Sequence, residues 1–332
     1  MLTIKLPTLQ ATVASAATRA AAQILKPPPQ PAGQVIHLGH IWSLWKPIHH
    51  QVDLSTSRFS FSTHFIPTHS SSNNVNIGRQ GCSLISGSSA GLGAAIAREL
   101  FNRGASVVIN YPKQSEKANA KNLVKSLGAK DRAVAVEADL STLEGPRMLA
   151  GAAAQAFGKI DILVNSAGIN RPTLLDDPNN AKADKTWHDI IYLNARGVFF
   201  LTRAVLRYLS RENSRIINIG SSVSCTPGPE SSIYAGTKGL IEVYTHCWAT
   251  ELPRKYGCTV NGVTPGPVGT DAFYTAPSAV REALQPMVDA TPVAARVGTP
   301  EEIVWALPTL AEDKAGWFNG AYIPISGGSS IF

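Results

Sequence analysis

The stretch Cys82-Ser83-Leu84-Ile85-Ser86-Gly87-Ser88-Ser89-Ala90-Gly91-Leu92-Gly93 decides how this chain folds. Its first five residues form a short apolar run that stops at glycines, as a buried parallel strand does. Over 94–103 the apolar residues Ile96, Ala97 and Leu100 share one face of an expected helix, which Gly104 stops. Glycines between a strand and a helix let the backbone bend tightly, approach a pyrophosphate and pack the helix on the sheet. The helix then offers free N–H groups and the positive end of its dipole to phosphates. The spacing is Gly-x-x-x-Gly-x-Gly, not the commoner Gly-x-Gly-x-x-Gly. Such a turn can be purely structural, but at the opening of a β-α-β unit it favours dinucleotide binding.

The alternation continues along the chain. Strands are expected at 107–110, 133–136, 160–165, 215–219, 259–263 and 321–325. Helices are expected at 115–127, 145–157, 185–209 and 232–255, with Pro253 ending or kinking the last of these. There is no internal repeat and no break that suggests a second domain. The pattern implies an α/β protein: one doubly wound parallel sheet with helices on both faces, a single-domain Rossmann fold over residues 81–332.

Composition narrows the function. With 332 residues, 44% hydrophobic and 16% charged, the chain reads as a soluble globular protein. It has no apolar run of the roughly 18 residues that an integral membrane segment needs. Cys82, Cys225, Cys247 and Cys258 show no C-x-x-C pairing, so they read as reduced thiols and not as a disulfide framework or metal site. The net charge of +7 is unevenly spread. Residues 1–80 carry six basic groups against the single acid Asp53, while the rest carries 24 basic and 22 acidic groups. A nearly balanced body without a basic stripe argues against nucleic acid as a partner.

The first 80 residues read as an N-terminal extension. Residues 1–25 are rich in Ala, Thr and Ser, contain no acid and disperse Lys5 and Arg19 among apolar residues, as an organellar transit peptide does. Mitochondrial targeting is the leading expectation, with plastid and cytoplasmic locations as alternatives. Lys26-Pro27-Pro28-Pro29-Gln30-Pro31 reads as a linker, and 55–80 as a poorly ordered Ser/Thr/Asn-rich stretch. Six of the eight histidines fall before residue 70, but without other ligands at metal spacing they read as an unstructured His-rich segment.

Tyr234 and Lys238 stand four residues apart in an expected helix, on one face and one turn from each other. An ammonium beside a phenol stabilises the phenolate, so the phenol's pKa should fall from about 10 toward neutrality, where it can act as general acid or base. Ser221 lies 13 residues before the tyrosine, at the end of the apolar run Ile216-Ile217-Asn218-Ile219. The pair alone is weak evidence, because such spacings recur on solvated helices. The glycine turn upstream gives it weight.

Taken in order, these motifs resemble the short-chain dehydrogenase/reductase family, and members similar to 3-oxoacyl-carrier-protein reductases in particular. Ser86 to Gly93 matches the family's Thr-Gly-x-x-x-Gly-x-Gly with serine in place of threonine, and implies cofactor contacts from Ser86, Gly87, Ser89, Gly91, Leu92 and Gly93. Asp139, followed by Leu140, stands where the family contacts the adenine ring. Asn165-Ser166-Ala167-Gly168 matches Asn-Asn-Ala-Gly with one substitution, placing Asn165, Ala167 and Gly168 at the cofactor. Asn194, Ser221, Tyr234 and Lys238 match the catalytic tetrad; Ser222 competes with Ser221, but the 13-residue gap favours Ser221. Pro265, Gly266, Val268 and Thr270 match the Pro-Gly motif beside the nicotinamide, and Gly327-Gly328 the C-terminal turn. The resemblance covers about 250 residues and leaves the first 80 outside.

The resemblance implies that Ser221 polarises a substrate carbonyl, Tyr234 transfers the proton, Lys238 lowers the tyrosine's pKa and binds ribose, and Asn194 with water relays protons to solvent. Tyr234 and Lys238 thus count among the cofactor contacts too. The second strand ends Ile109-Asn110-Tyr111-Pro112-Lys113, without an acid to hold a ribose 2′-OH and with Lys113 nearby, so NADP(H) is expected over NAD(H), with Asn110 beside it. Ser88-Ser89-Ala90 lacks the basic residue that many NADP-dependent relatives carry there. The implied function interconverts a ketone and a secondary alcohol, on a small-molecule partner, in a homotetramer or homodimer. The alternative is a catalytically silent dinucleotide-binding scaffold or sensor. The segment 271–296 is expected to form a substrate lid, where Phe273, Tyr274 and Met287 either meet an apolar substrate or simply pack the lid.

Overall fold

The structure is a computed structural model that describes residues 81–129 and 131–331. The targeting, linker and His-rich readings of residues 1–80 lie outside the described residues.

Seven strands form one sheet: β1 (Cys82–Ile85), β2 (Ser106–Tyr111), β3 (Ala133–Glu137), β4 (Ile162–Asn165), β5 (Ser214–Ile219), β6 (Cys258–Pro265) and β7 (Tyr322–Ile325). All neighbours are parallel and the order is β3-β2-β1-β4-β5-β6-β7. The connections are α1 (Gly91–Asn102), α2 (Lys117–Leu127), α3 (Gly145–Phe157), α4 (Asn180–Ile190) with α5 (Val198–Val205), and α6 (Ser232–Glu251). Two short helices, Pro300–Val304 and Ala306–Ala311, precede β7.

Side chains that alternate along a strand serve opposite faces of the sheet. Leu84, Val108, Leu163, Ile216 and Val260 pack with Leu149, Leu201, Ile241 and Trp248 of α3, α5 and α6. Ile85, Ile109, Val164, Ile217 and Val263 pack with Ile96, Leu100 and Leu123 of α1 and α2 and with Val304 and Leu307. Each large apolar side chain so buried contributes about 1.5–3 kcal/mol, which explains why these strands are apolar on both faces. The chain reverses its winding between β1 and β4, and the crevice beyond their carboxyl ends is where such sheets bind ligands.

A polar rail crosses one side of this apolar sheet. Asn165 and Asn218 are paired in register on β4 and β5. The Asn165 amide donates to Asn218 Oδ1 at 2.8 Å and to Thr202 of α5 at 3.0 Å. Asn218 donates to Thr245 of α6 at 2.9 Å. All four side chains are buried, so each bond replaces water that the site excludes.

Three elements differ most from the sequence expectation. The single helix expected at 185–209 starts at Asn180, where the Asn179 side chain caps the Lys182 amide at 2.9 Å, and it is interrupted by a π-helical stretch, Ile191–Gly197. Gly197 lets this wide stretch press on the loop after β3, since a Cβ there would lie 2.7 Å from the Leu140 carbonyl. Strand β6 is longer than expected because it pairs along both edges, with β5 and β7. The helix expected at 232–255 ends at Glu251; Pro253 opens a separate turn, Pro253–Tyr256. Among the described residues, no helix is long and apolar enough to cross a membrane, and the four cysteines are unpaired.

Candidate active site

The glycine turn forms the β1–α1 wall of the crevice. Gly87 has φ +62°, and a Cβ there would lie 2.8 Å from the Ala167 backbone of the loop after β4. A Cβ on Gly93 would collide with the Gly87 carbonyl, so only glycine lets α1 fold back onto the turn. Ser86 joins the two loops: its hydroxyl accepts from the Ser166 and Ala167 amides at 2.9 and 3.0 Å. Ser89 and Gly91 are partly exposed at the tip, and Leu92 packs back against the core. Helix α1 begins after an extended Ala90 with no side-chain cap. Its first N–H groups therefore lack an intrahelical partner and face the crevice mouth. The bare helix start, the left-handed Gly87 and Gly91 (φ +62° and +56°) and the close loop approach fit a pyrophosphate.

The opposite wall is built from side chains. Lys238 lies on α6, buried, and its ammonium donates to the Ile219 carbonyl at the end of β5 at 2.8 Å. The same ammonium lies 5.6 Å from the centre of the Tyr234 ring. Ser221 is extended, at φ −165°, and opens the short turn Ser222–Ser224, accepting from the Val223 amide at 3.3 Å. Its side chain hydrogen-bonds with the Tyr234 phenol, whereas Ser222 is buried. Asn194 sits in the π-helical stretch and grips the Ile169 backbone from both sides. Its amide donates to the Ile169 carbonyl at 2.8 Å, and its Oδ1 accepts from the Ile169 amide at 2.9 Å. Gly168 passes between these groups, since a Cβ there would lie 3.4 Å from Asn194 Oδ1 and 3.7 Å from Lys238 Nζ. The fold thus gathers Asn194, Ser221, Tyr234, Lys238 and Gly168 at one end of the sheet.

Electrostatics in the pair run differently from the sequence expectation. Burial raises the Tyr234 phenol above its ordinary value, and the bond with Ser221 works against that rise. Burial also pulls the Lys238 ammonium down to about 8. Desolvation disfavours both charged forms. The ammonium bonds to the Ile219 carbonyl and lies 5.6 Å from the centre of the phenol ring, so desolvation outweighs the pull of its charge on the phenol. A raised phenol keeps its proton at neutral pH and can donate it.

Other sequence-predicted residues serve the frame. Asn110 is buried: its Oδ1 accepts from the Gly87 amide at 2.9 Å and its amide donates to the Ala138 carbonyl at 3.0 Å, so its side chain braces the glycine turn from within. Asp139 turns its carboxylate onto Ser141, accepting from the amide at 2.9 Å and from the hydroxyl at 2.7 Å, and Leu140 is buried in the core. Asn165 belongs to the rail, and Ala167 abuts Gly87. The Pro265–Thr270 segment is pinned from two sides: Gly266 donates to the Ile325 carbonyl at 3.2 Å, and Val268 bridges Gly298. Thr270 lies 3.9 Å from where a Gly91 Cβ would sit, which closes the crevice mouth. Sequence reading missed Thr237, which receives an Asn194 bond at 3.3 Å, and Tyr322, which bonds to the Lys238 carbonyl at 3.2 Å. The bulky tyrosine in an apolar final strand was the available signal for the second.

Residues 87–330 match the family model described as enoyl-(acyl carrier protein) reductase. The chain is 38% identical over 249 residues to the short-chain dehydrogenase/reductase FrzI of Cladobotryum sp, covering 74% of this chain and 94% of that relative. It is 33% identical over 257 residues to versicolorin reductase 1 of Aspergillus parasiticus, covering 74% of this chain and 95% of that relative. A crystal structure of a short-chain dehydrogenase from Burkholderia cenocepacia in complex with NADP superposes with a TM-score of 0.66 at 31% identity, over 76% of this chain and 98% of the other. The chain belongs to the short-chain dehydrogenase/reductase family of oxidoreductases.

Proposed function

We propose that the protein is an NADP(H)-dependent reductase that interconverts a ketone and a secondary alcohol. The observation that carries this reading is the Ser221 side chain beside the Tyr234 phenol, whose ring centre lies 5.6 Å from the buried Lys238 ammonium, next to Gly168 at the carboxyl end of the sheet. Ser221 and Tyr234 together offer two hydroxyl donors to one carbonyl oxygen. Tyr234, held protonated by burial, gives its proton to that oxygen as the carbonyl carbon is reduced. Lys238 supplies positive charge under the phenolate so formed, and water ordered by the Asn194–Ile169 pair returns a proton from solvent. NADP(H) supplies or takes the hydride when bound. The glycine turn would hold its pyrophosphate, and Lys238, Gly168 and Thr270 its nicotinamide end. The named reductase and the NADP-bound structure among the relatives support this direction and this cofactor.

Stopped-flow or steady-state NADPH oxidation across a ketone panel tests the reading: turnover lost in Tyr234→Phe is the expected result. Dinucleotide binding without turnover of any panel member would make the protein a silent scaffold instead. Assembly as a homodimer or homotetramer belongs to the same reading. Helices α5 and α6 leave Phe199, Phe200 and Val243 exposed on the face that a second copy would cover.

A further inference from the structure

Tyr322 on edge strand β7 lies outside the tetrad yet touches its supports. Its hydroxyl donates to the Lys238 carbonyl at 3.2 Å and accepts from the Ser221 backbone, with the Ser224 side chain beside it. Ser224 in turn donates to the Ser221 carbonyl at 2.9 Å. The sheet register explains how a residue of β7 reaches so far. Tyr322 stands opposite Gly262 of β6, and Gly262 opposite Asn218 of β5. With no side chain at Gly262, the ring lies across β6 toward the start of the Ser221 loop. A Cβ on Gly262 would overlap the ring, and one on Gly220 would overlap its hydroxyl. Two glycines on neighbouring segments thus leave a slot that this one side chain fills. Simple space-filling would need only the ring; the hydroxyl joins the Ser221 loop to the Lys238 turn of α6.

We propose that Tyr322 is a positioning residue whose hydroxyl fixes the Ser221 loop against the Lys238 turn of α6, and so sets the reach of Ser221 to Tyr234. Its kinetic consequence rests on the reductase reading above; its structural consequence does not. Tyr322→Phe keeps the ring in its slot and removes only the joining group. In that variant, kcat for ketone reduction falls about tenfold while KM for the ketone stays within about twofold, as expected when a reacting group is misplaced but the binding surface is kept. Hydrogen exchange of the amides in 220–226, measured without substrate, becomes faster by about tenfold or more while the rest of the sheet is unchanged. Gly262→Ala, which displaces the ring but leaves the hydroxyl on the protein, reproduces both effects. Unchanged exchange and unchanged kcat in Tyr322→Phe overturn the proposal. Faster exchange spread evenly over the sheet also overturns it, because the hydroxyl would then serve only the fold. If the unaltered protein turns over no ketone, the reductase reading fails, and the 220–226 exchange alone decides whether Tyr322 positions the loop.

Discussion

The β1–α1 wall of the crevice is made by leaving side chains out, and the β5–α6 wall by packing them together. On the first, Gly87 and Gly93 let backbone approach backbone, and the ligand-facing groups are N–H bonds fixed by the main chain. On the second, Ser221, Tyr234 and Lys238 are placed by contacts with one another and with the Ile219 carbonyl. On the function proposed above, the difference separates two jobs. A wall of backbone binds phosphate without ionisable groups and works unchanged across pH, whereas a wall of desolvated side chains has its protons tuned by the same burial that holds it in place.

If the walls do separate binding from chemistry, damage to each should read out differently. The largest effect is expected from Tyr234→Phe: kcat for ketone reduction falls by about 10²–10⁴ with dinucleotide affinity nearly unchanged, checked by NADPH oxidation beside isothermal titration. A matching loss of affinity would break the distinction. Next comes Lys238→Met. The ammonium sits at about 8 in the folded protein and at its ordinary 10.5 when unfolded. Between these values the unfolded chain binds more protons, so the lysine's contribution to stability rises with pH across that window. The wild-type-minus-variant stability should therefore climb by about 3 kcal/mol from pH 8 to 10.5, read by urea unfolding under reducing conditions.

Gly93→Ala addresses the other wall. Its Cβ would collide with the Gly87 carbonyl, which should cost about 1–3 kcal/mol of stability and weaken NADPH binding about tenfold. Retained affinity with lost turnover would show that the turn serves chemistry directly. The smallest effect belongs to Lys113→Ala. Lys113 is exposed beyond β2, so a 2′-phosphate contact is worth about 0.2–1 kcal/mol, a drop of up to about fivefold in NADPH affinity with NADH affinity unmoved. Equal loss for both cofactors would remove Lys113 from the discrimination.

Sequence carried the first wall further than the second. Gly-x-x-x-Gly-x-Gly is a local constraint on φ and on close approach, and local constraints survive in a linear text. The proximity of Tyr234 and Lys238 was legible as spacing, because helix geometry turns Tyr-x-x-x-Lys into a shared face. The sign of the tyrosine's shift was not legible: it depends on desolvation by residues distant in sequence and on the Ile219 carbonyl competing for the ammonium. Asn110 looked like a residue of the ribose edge, but its side chain bonds inward to Gly87 and Ala138, a pairing across three strands' worth of chain. The π-helical turn at Asn194 has no periodic signature, and Tyr322 shows its purpose only when Gly220 and Gly262 are brought beneath it.

The rail from Thr202 through Asn165 and Asn218 to Thr245 has a consequence for how such an enzyme can diversify. It fastens the stem of the loop bearing Gly168 to the stem of the loop bearing Ser221, and both to helices on one face. On the function proposed above, cofactor bed and proton donor therefore stand on a common footing. If the segment over 271–296 is the substrate lid that the sequence suggests, rewriting it would alter what is admitted without disturbing the proposed proton donor. New substrates would be acquired at the rim, while the reacting centre is inherited intact.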